Sequence, residues 1–318
     1  MSTASGKIQG TLVEGGTTSS LSGTVAFKGA SSSIDLAEGG AIKSHRDEIV
    51  AGGNRYLKLD EGPWVNHGSR ANDTGLSTLL KAAATDADQG VEPTFRTGLH
   101  RIVTLANTVD VPAALGLDTW NWTDLRSSLR VWSDDAGTVR GFGASIVWTQ
   151  PVIGVATGFT MEIDVPFDAS PKVSIAAPKG AWKWILDSGQ KIALALPSTW
   201  TKIKSEEVAG STAYSDPKGG GAFLYATNPT DGITLERIVD SVVKNTGVAP
   251  GSRYTTSVGG ERAIGLLLNV PKNKVFLIEI VAVHGPAGYV LAFYGSQSQQ
   301  VANEKVNDQI VATIEFVE

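Results

Sequence analysis

The scarcest chemistry-bearing residues in this chain are its four histidines, His45, His67, His100 and His284, and cysteine does not occur. Without cysteine there is no thiolate ligand, no thiol nucleophile and no disulfide. Only His45 sits beside acidic residues, in His45-Arg46-Asp47-Glu48. An imidazole next to carboxylates is a donor set that a divalent cation can use. Arg46 lies inside it, however, and no further ligand follows at metal-site spacing, so the stretch reads as a solvated loop that holds no metal. His284 lies in the glycine- and proline-containing turn His284-Gly285-Pro286-Ala287-Gly288 and reads as a surface residue. The adjacent carboxylates Asp60-Glu61 and Asp134-Asp135 fall at hairpin tips. Glycosidic chemistry needs two carboxylates converging on one cleft. No G-x-S-x-G elbow, H-E-x-x-H pair or G-x-x-x-x-G-K-[ST] loop is present. Gly141-Phe142-Gly143 sits inside a strand pattern, and Gly219-Gly220-Gly221 leads into the strand-like Ala222-Phe223-Leu224-Tyr225. A phosphate-cradling loop opens a helix instead. The expectation is a protein that is not an enzyme and carries no cofactor.

The apolar segments are more informative. Val111-Pro112-Ala113-Ala114-Leu115-Gly116-Leu117 precedes Trp120-Asn121-Trp122. Ile146-Val147-Trp148 and Val152-Ile153-Gly154-Val155 bracket Gln150-Pro151. Such segments either complete a core under a covered loop or line an apolar cavity. Leu76, Leu79, Leu80 and Ala83 fall at i, i+3, i+4 and i+7 and define one helix face that must meet apolar surface. The expected ligand-binding set is Leu76, Leu79, Leu80, Leu115, Leu117, Trp120, Trp122, Trp148 and Ile153, with the three tryptophans at the rim, where an indole can face both an apolar interior and water.

The elements that must position these residues follow from periodicity. In residues 1–178 short runs alternate at period two: Lys7-Ile8-Gln9-Gly10-Thr11-Leu12-Val13 before Gly15-Gly16, Gly23-Thr24-Val25-Ala26-Phe27, and Thr160-Met161-Glu162-Ile163-Asp164-Val165. Residues 15–20, rich in Ser, Thr and Gly, read as a loop. Ala177-Pro178-Lys179-Gly180 marks a break, and residues 181–318 follow as a second domain. There Leu235, Ile238, Val239, Val242 and Val243 give the clearest amphipathic helix, capped by Asp231 or Thr234 and ended by Gly247. Apolar runs at 261–270, 275–283 and 289–294 read as buried antiparallel strands, and a last helix spans about residues 297–313. Thirty-six glycines favour many short strands. The net charge of -5 and the lack of a Lys/Arg block argue against nucleic acid as a partner. Met1-Ser2-Thr3-Ala4-Ser5-Gly6 has no basic or apolar leader character, which leaves a cytoplasmic protein or a signal segment cut away.

Residues 6–178 resemble the LolA-like and LprG/LppX-like lipoproteins. The resemblance rests on Gly6-Lys7-Ile8-Gln9-Gly10 opening a strand, the hairpin Tyr56-Leu57-Lys58 … Gly62-Pro63-Trp64, the helix Thr74-Gly75-Leu76-Ser77-Thr78-Leu79-Leu80, and the ending Pro171-Lys172-Val173-Ser174-Ile175-Ala176-Ala177-Pro178. It implies an open, curved antiparallel half-barrel with covering helices that holds a lipid or other apolar ligand. It also implies an extracytoplasmic, cell-envelope location with peripheral membrane association through an N-terminal lipid anchor, here absent or removed. Residues 181–318 resemble the PsbP-like fold through Ile192-Ala193-Leu194-Ala195-Leu196-Pro197-Ser198-Thr199-Trp200, Gly259-Gly260-Glu261-Arg262-Ala263, the paired strands and the terminal helix. That implies an α-β-α sandwich with an antiparallel sheet, acting as a docking module for a protein partner. The fold class expected for the whole chain is α+β. The expected function is a lipoprotein-type binding protein, and the alternative is a non-catalytic accessory or docking subunit of a membrane-associated assembly.

Overall fold

Residues 3–28 hold period-two alternation through one interruption, Gly15-Gly16, and this is the pattern of two half-buried strands joined by a tight turn. The computed structural model describes residues 3–29, 31–40, 44–69, 80, 101–106, 111–115, 117, 119, 122–134, 136, 138–152, 155–168, 172–204, 210–217, 221–229, 233–246, 252–270 and 275–317. The chain divides into two compact units, Met1–Ala181 and Trp182–Glu318.

The first unit contains β1 (Thr3–Glu14), β2 (Thr17–Lys28), β3 (Ser31–Gly39), β4 (Ser44–Ala51), β5 (Asn54–Leu59), β6 (Val65–Ser69), β7 (Arg101–Ala106), β8 (Thr123–Ser133), β9 (Val139–Val152) and β10 (Val155–Pro166). They form one antiparallel run in the order β6-β5-β4-β3-β2-β1-β10-β9-β8-β7. Glu14 pairs with Thr17 across Gly15 and Gly16, whose φ values of 53° and 91° lie in the left-handed region that favours glycine. One face of the run carries the core: Ile8, Leu21, Val25, Ile34, Leu129, Phe142, Ile146, Met161 and Val165 are buried in one cluster.

The second unit contains β11 (Trp182–Asp187), β12 (Ile192–Leu196), β13 (Thr201–Ile203), β14 (Thr212–Ser215), β15 (Ala222–Pro229), β16 (Ser252–Val258), β17 (Glu261–Val270), β18 (Val275–His284), β19 (Ala287–Ser296) and β20 (Glu315–Phe316). Seven of them make an antiparallel sheet in the order β13-β14-β15-β19-β18-β17-β16, and β12 pairs antiparallel with β11 and with β20. The helix Leu235–Thr246 starts where the Thr234 hydroxyl accepts the Arg237 amide, an N-cap that satisfies one orphan donor. Its Ile238, Val239 and Val242 pack on Ile264, Leu266, Leu268 and Val281. The helix Gln300–Val311 ends with Ile310 and Ile314 buried, and Phe316 beyond it lies 4.4 Å from the Tyr289 ring.

The chain is mostly β, which corrects the expected α+β class with its helix-covered half-barrel. Among the described residues the first unit has only the helical turn Val111–Ala114 and helical Leu80 beside ten strands. Two stretches expected as loops are strands. Thr17-Thr18-Ser19-Ser20 begins β2, and His45-Arg46-Asp47-Glu48 lies in β4. Both are too polar for a hydrophobic pattern to register, yet Thr17, Thr18 and Ser19 pair with β1, Ser20 with β1 and β3, His45 with β3, and Arg46, Asp47 and Glu48 with β3 and β5, and this pairing engages their backbone amides and carbonyls.

Candidate functional site

Residues paired across an antiparallel ladder share a face, so the pairing of Trp148 with Phe159 brings their rings together. The rings stack with centroids 5.0 Å apart and planes 8° apart. On the other side of Trp148 lies Trp122, stacked at 4.1 Å and 12°. Trp122 enters β8 from a turn closed by its amide to the Thr119 carbonyl, 3.1 Å. The Trp148 indole N–H donates to Gln150 Oε1 at 3.2 Å, two residues along the same strand face. The helical turn Val111–Ala114 sets the adjacent leucines. The Leu115 amide donates to the Val111 carbonyl and the Leu117 amide to the Pro112 carbonyl.

Leu80, Leu115 and Trp148 belong to the buried cluster of the first unit, and Leu117 and Trp122 pack against it. Leu76, Leu79, Trp120 and Ile153 lie outside the described residues. Trp148 is 4% exposed, so it is a core ring and not a rim residue. The half-buried positions at this end of the core are Trp122, Leu117, Leu12 and Phe159. Sequence reasoning missed Leu12 and Phe159. Phe159 was legible as the residue opposite Trp148 when the chain is folded back between Val152 and Val155, but alternation alone does not choose that register.

The second unit has a polar cluster that no motif announced. Asp187 Oδ2 accepts hydrogen bonds from Thr212 Oγ1 at 2.9 Å and Tyr225 Oη at 3.0 Å, while Oδ1 accepts the Gly189 and Gln190 amides. Burial opposes the charge on Asp187. The bonds from Thr212, Tyr225 and Gln190 and the Lys202 charge outweigh it and hold the carboxyl below its usual range. Burial, then the Tyr214 and Asp187 charges, pushes the Tyr225 phenol far above its usual range. Burial lowers the Lys183 ammonium, which donates to the Trp200 carbonyl. A charged carboxylate with a protonated phenol ties β11 to β14 and β15.

Glu279 is the other electrostatic feature. It lies on β18 between Leu266 and Ala292, and alternation puts it on the face of Leu277 and Val281, under the helix Leu235–Thr246. Its buried Oε2 has no hydrogen-bond partner among the described residues, and burial raises its carboxyl from 4.5 to about 7. The folded pKa exceeds the unfolded one, so stability is unaffected below pH 4.5, falls as pH rises through this window, and levels off above about pH 7. The side chain is half-buried and partly screened, which reduces the full shift to roughly 1–2 kcal/mol. Glu279→Gln is therefore expected to match the wild type in urea unfolding at pH 4 and to exceed it by that amount at pH 8. Equal stability at pH 8 would show that the carboxylate is fully solvated. His284 differs from its expected surface role as well. It ends β18 half-buried, with Nδ1 3.0 Å from Glu261 Oε1 and its ring stacked on Phe316.

No family model matches the chain, and no curated protein matches its sequence. Among solved structures it is similar to the solution structure of cyanobacterial PsbP (CyanoP) from Synechocystis sp. PCC 6803. The two share 9% identity over 46% of this chain and 98% of that one, with a TM-score of 0.36.

Proposed function

We propose that the chain is a non-catalytic binding protein whose first unit takes an elongated apolar ligand, a lipid acyl chain, at the aromatic end of its core. The observation that carries this reading is the row Trp122, Trp148 and Phe159. A buried ring is flanked by two half-buried rings, and the half-buried Leu12 and Leu117 pack against the same core cluster. Such a row presents apolar area continuous with the core at a place where solvent reaches it. Each methylene buried there contributes about 0.8 kcal/mol, so a long chain needs no specific polar contact. An extracytoplasmic location with a lipid anchor belongs to the same reading and rests on the resemblance of residues 6–178 to lipoproteins.

Dibromostearic acid tests the site, because bromine quenches only indoles it touches. Saturable quenching at micromolar ligand is expected in the wild type. Leu117→Arg, which places a charge on the apolar surface, should abolish it while circular dichroism stays unchanged. If the wild type shows no saturable quenching, the carrier reading fails and a docking subunit replaces it.

A further inference from the structure

The strand pairing creates a cluster that lies apart in sequence. Asp35 on β3 is the direct partner of Asp47 on β4, and His45 precedes Asp47 by two residues, on the same face. Two carboxylates directly opposite on paired strands repel each other. His45 Nε2 stands between them, 3.5 Å from Asp35 Oδ2 and 3.5 Å from Asp47 Oδ1. These equal separations are too long for charge-assisted hydrogen bonds, which close to about 2.7–2.9 Å. They match the spacing of ligand atoms around a tetrahedral ion, roughly 3.3 Å when each bond is about 2.0–2.1 Å. All three ligand atoms lie within 4.8 Å of one another.

Two further features shape the cluster. The His45 backbone is clamped on both sides by one residue: its amide donates to Asp60 Oδ1 at 2.7 Å, and the Asp60 amide donates to the His45 carbonyl at 2.7 Å. Asp60 reaches both by adopting a φ of 46° at the end of β5. Lys58 approaches Asp47 at the other oxygen, with Nζ 3.7 Å from Oδ2, and so leaves Oδ1 facing the imidazole.

We propose that Asp35, His45 and Asp47 form a surface site for a divalent transition cation of the zinc class. One imidazole and two carboxylates supply three ligands, and water completes the shell because Asp35 and His45 are open to solvent. The imidazole selects zinc or nickel over magnesium and calcium, which take oxygen ligands. Lys58 weakens the site by competing for Asp47. Nothing in this assignment depends on ligand binding at the aromatic row.

The experiment is isothermal titration calorimetry of the untagged, chelator-treated full chain with zinc chloride and, separately, magnesium chloride. One equivalent of zinc is expected to bind, and no magnesium. Loss of one ligand of three, in His45→Gln or Asp35→Asn, should weaken zinc at least about tenfold. Lys58→Met should strengthen it severalfold, which an ion bound elsewhere would not do. Circular dichroism establishes that each variant is folded, and if one substitution disturbs the strand pair, the other decides. Absence of zinc uptake, or uptake unchanged in the folded ligand variants, overturns the proposal. In that case the imidazole serves only to separate two carboxylates.

Discussion

Trp148→Ala is expected to destabilise the first unit by about 3–5 kcal/mol, the range for deleting a buried large aromatic side chain. The ring is 4% exposed and touches aromatic faces on both sides, Trp122 at 4.1 Å and Phe159 at 5.0 Å. Each stacked pair adds roughly 0.5–1.5 kcal/mol beyond buried area, so both contributions vanish with the indole. The neighbours cannot close the gap, because Phe159 is fixed by ladder pairing and Trp122 by the turn to Thr119. Trp148→Phe keeps a ring between the two and should retain most of the stability. Urea unfolding followed by far-ultraviolet circular dichroism measures both. A loss below about 1 kcal/mol for alanine would mean that the ring contributes little to the core.

Arg55→Met should cost a similar amount for an electrostatic reason. Arg55 Nε donates to Glu48 Oε2 at 3.0 Å, and Glu48 is 2% exposed. The other carboxylate oxygen, Oε1, is buried without a hydrogen-bond partner among the described residues. Removing the guanidinium from such a pair leaves a buried charge uncompensated, at a cost of about 3–5 kcal/mol. Replacing both partners behaves differently. Glu48→Leu combined with Arg55→Met removes the charge together with its counter-ion and should restore most of the loss. A double-mutant cycle from thermal unfolding separates the coupling from the packing of the two stems. If the single and double variants are equally destabilised, packing is the whole effect.

These two sites show where the sequence was readable and where it was not. The helix Leu235–Thr246 was legible because its five apolar residues recur at helical spacing and Thr234 stands at its cap. The strands Glu261–Val270 and Val275–His284 were legible as apolar runs, and Gly15-Gly16 as a turn. Each of these is decided by residues within a few positions of one another. The polar half of β2, and His45-Arg46-Asp47-Glu48 in β4, escaped because their strand state comes from neighbouring strands and not from their own hydrophobicity. The same limit hid the candidate sites. Period two states which residues share a face, but not which strand lies alongside or in what register. Asp35 is opposite Asp47, Phe159 opposite Trp148, and Glu279 between Leu266 and Ala292 only because the ladders pair as they do. Sequence by itself determined the elements that carry their own apolar periodicity and the residues capable of chemistry. Tertiary structure decided which of those residues meet and which charges are buried, because both depend on contacts between segments far apart along the chain.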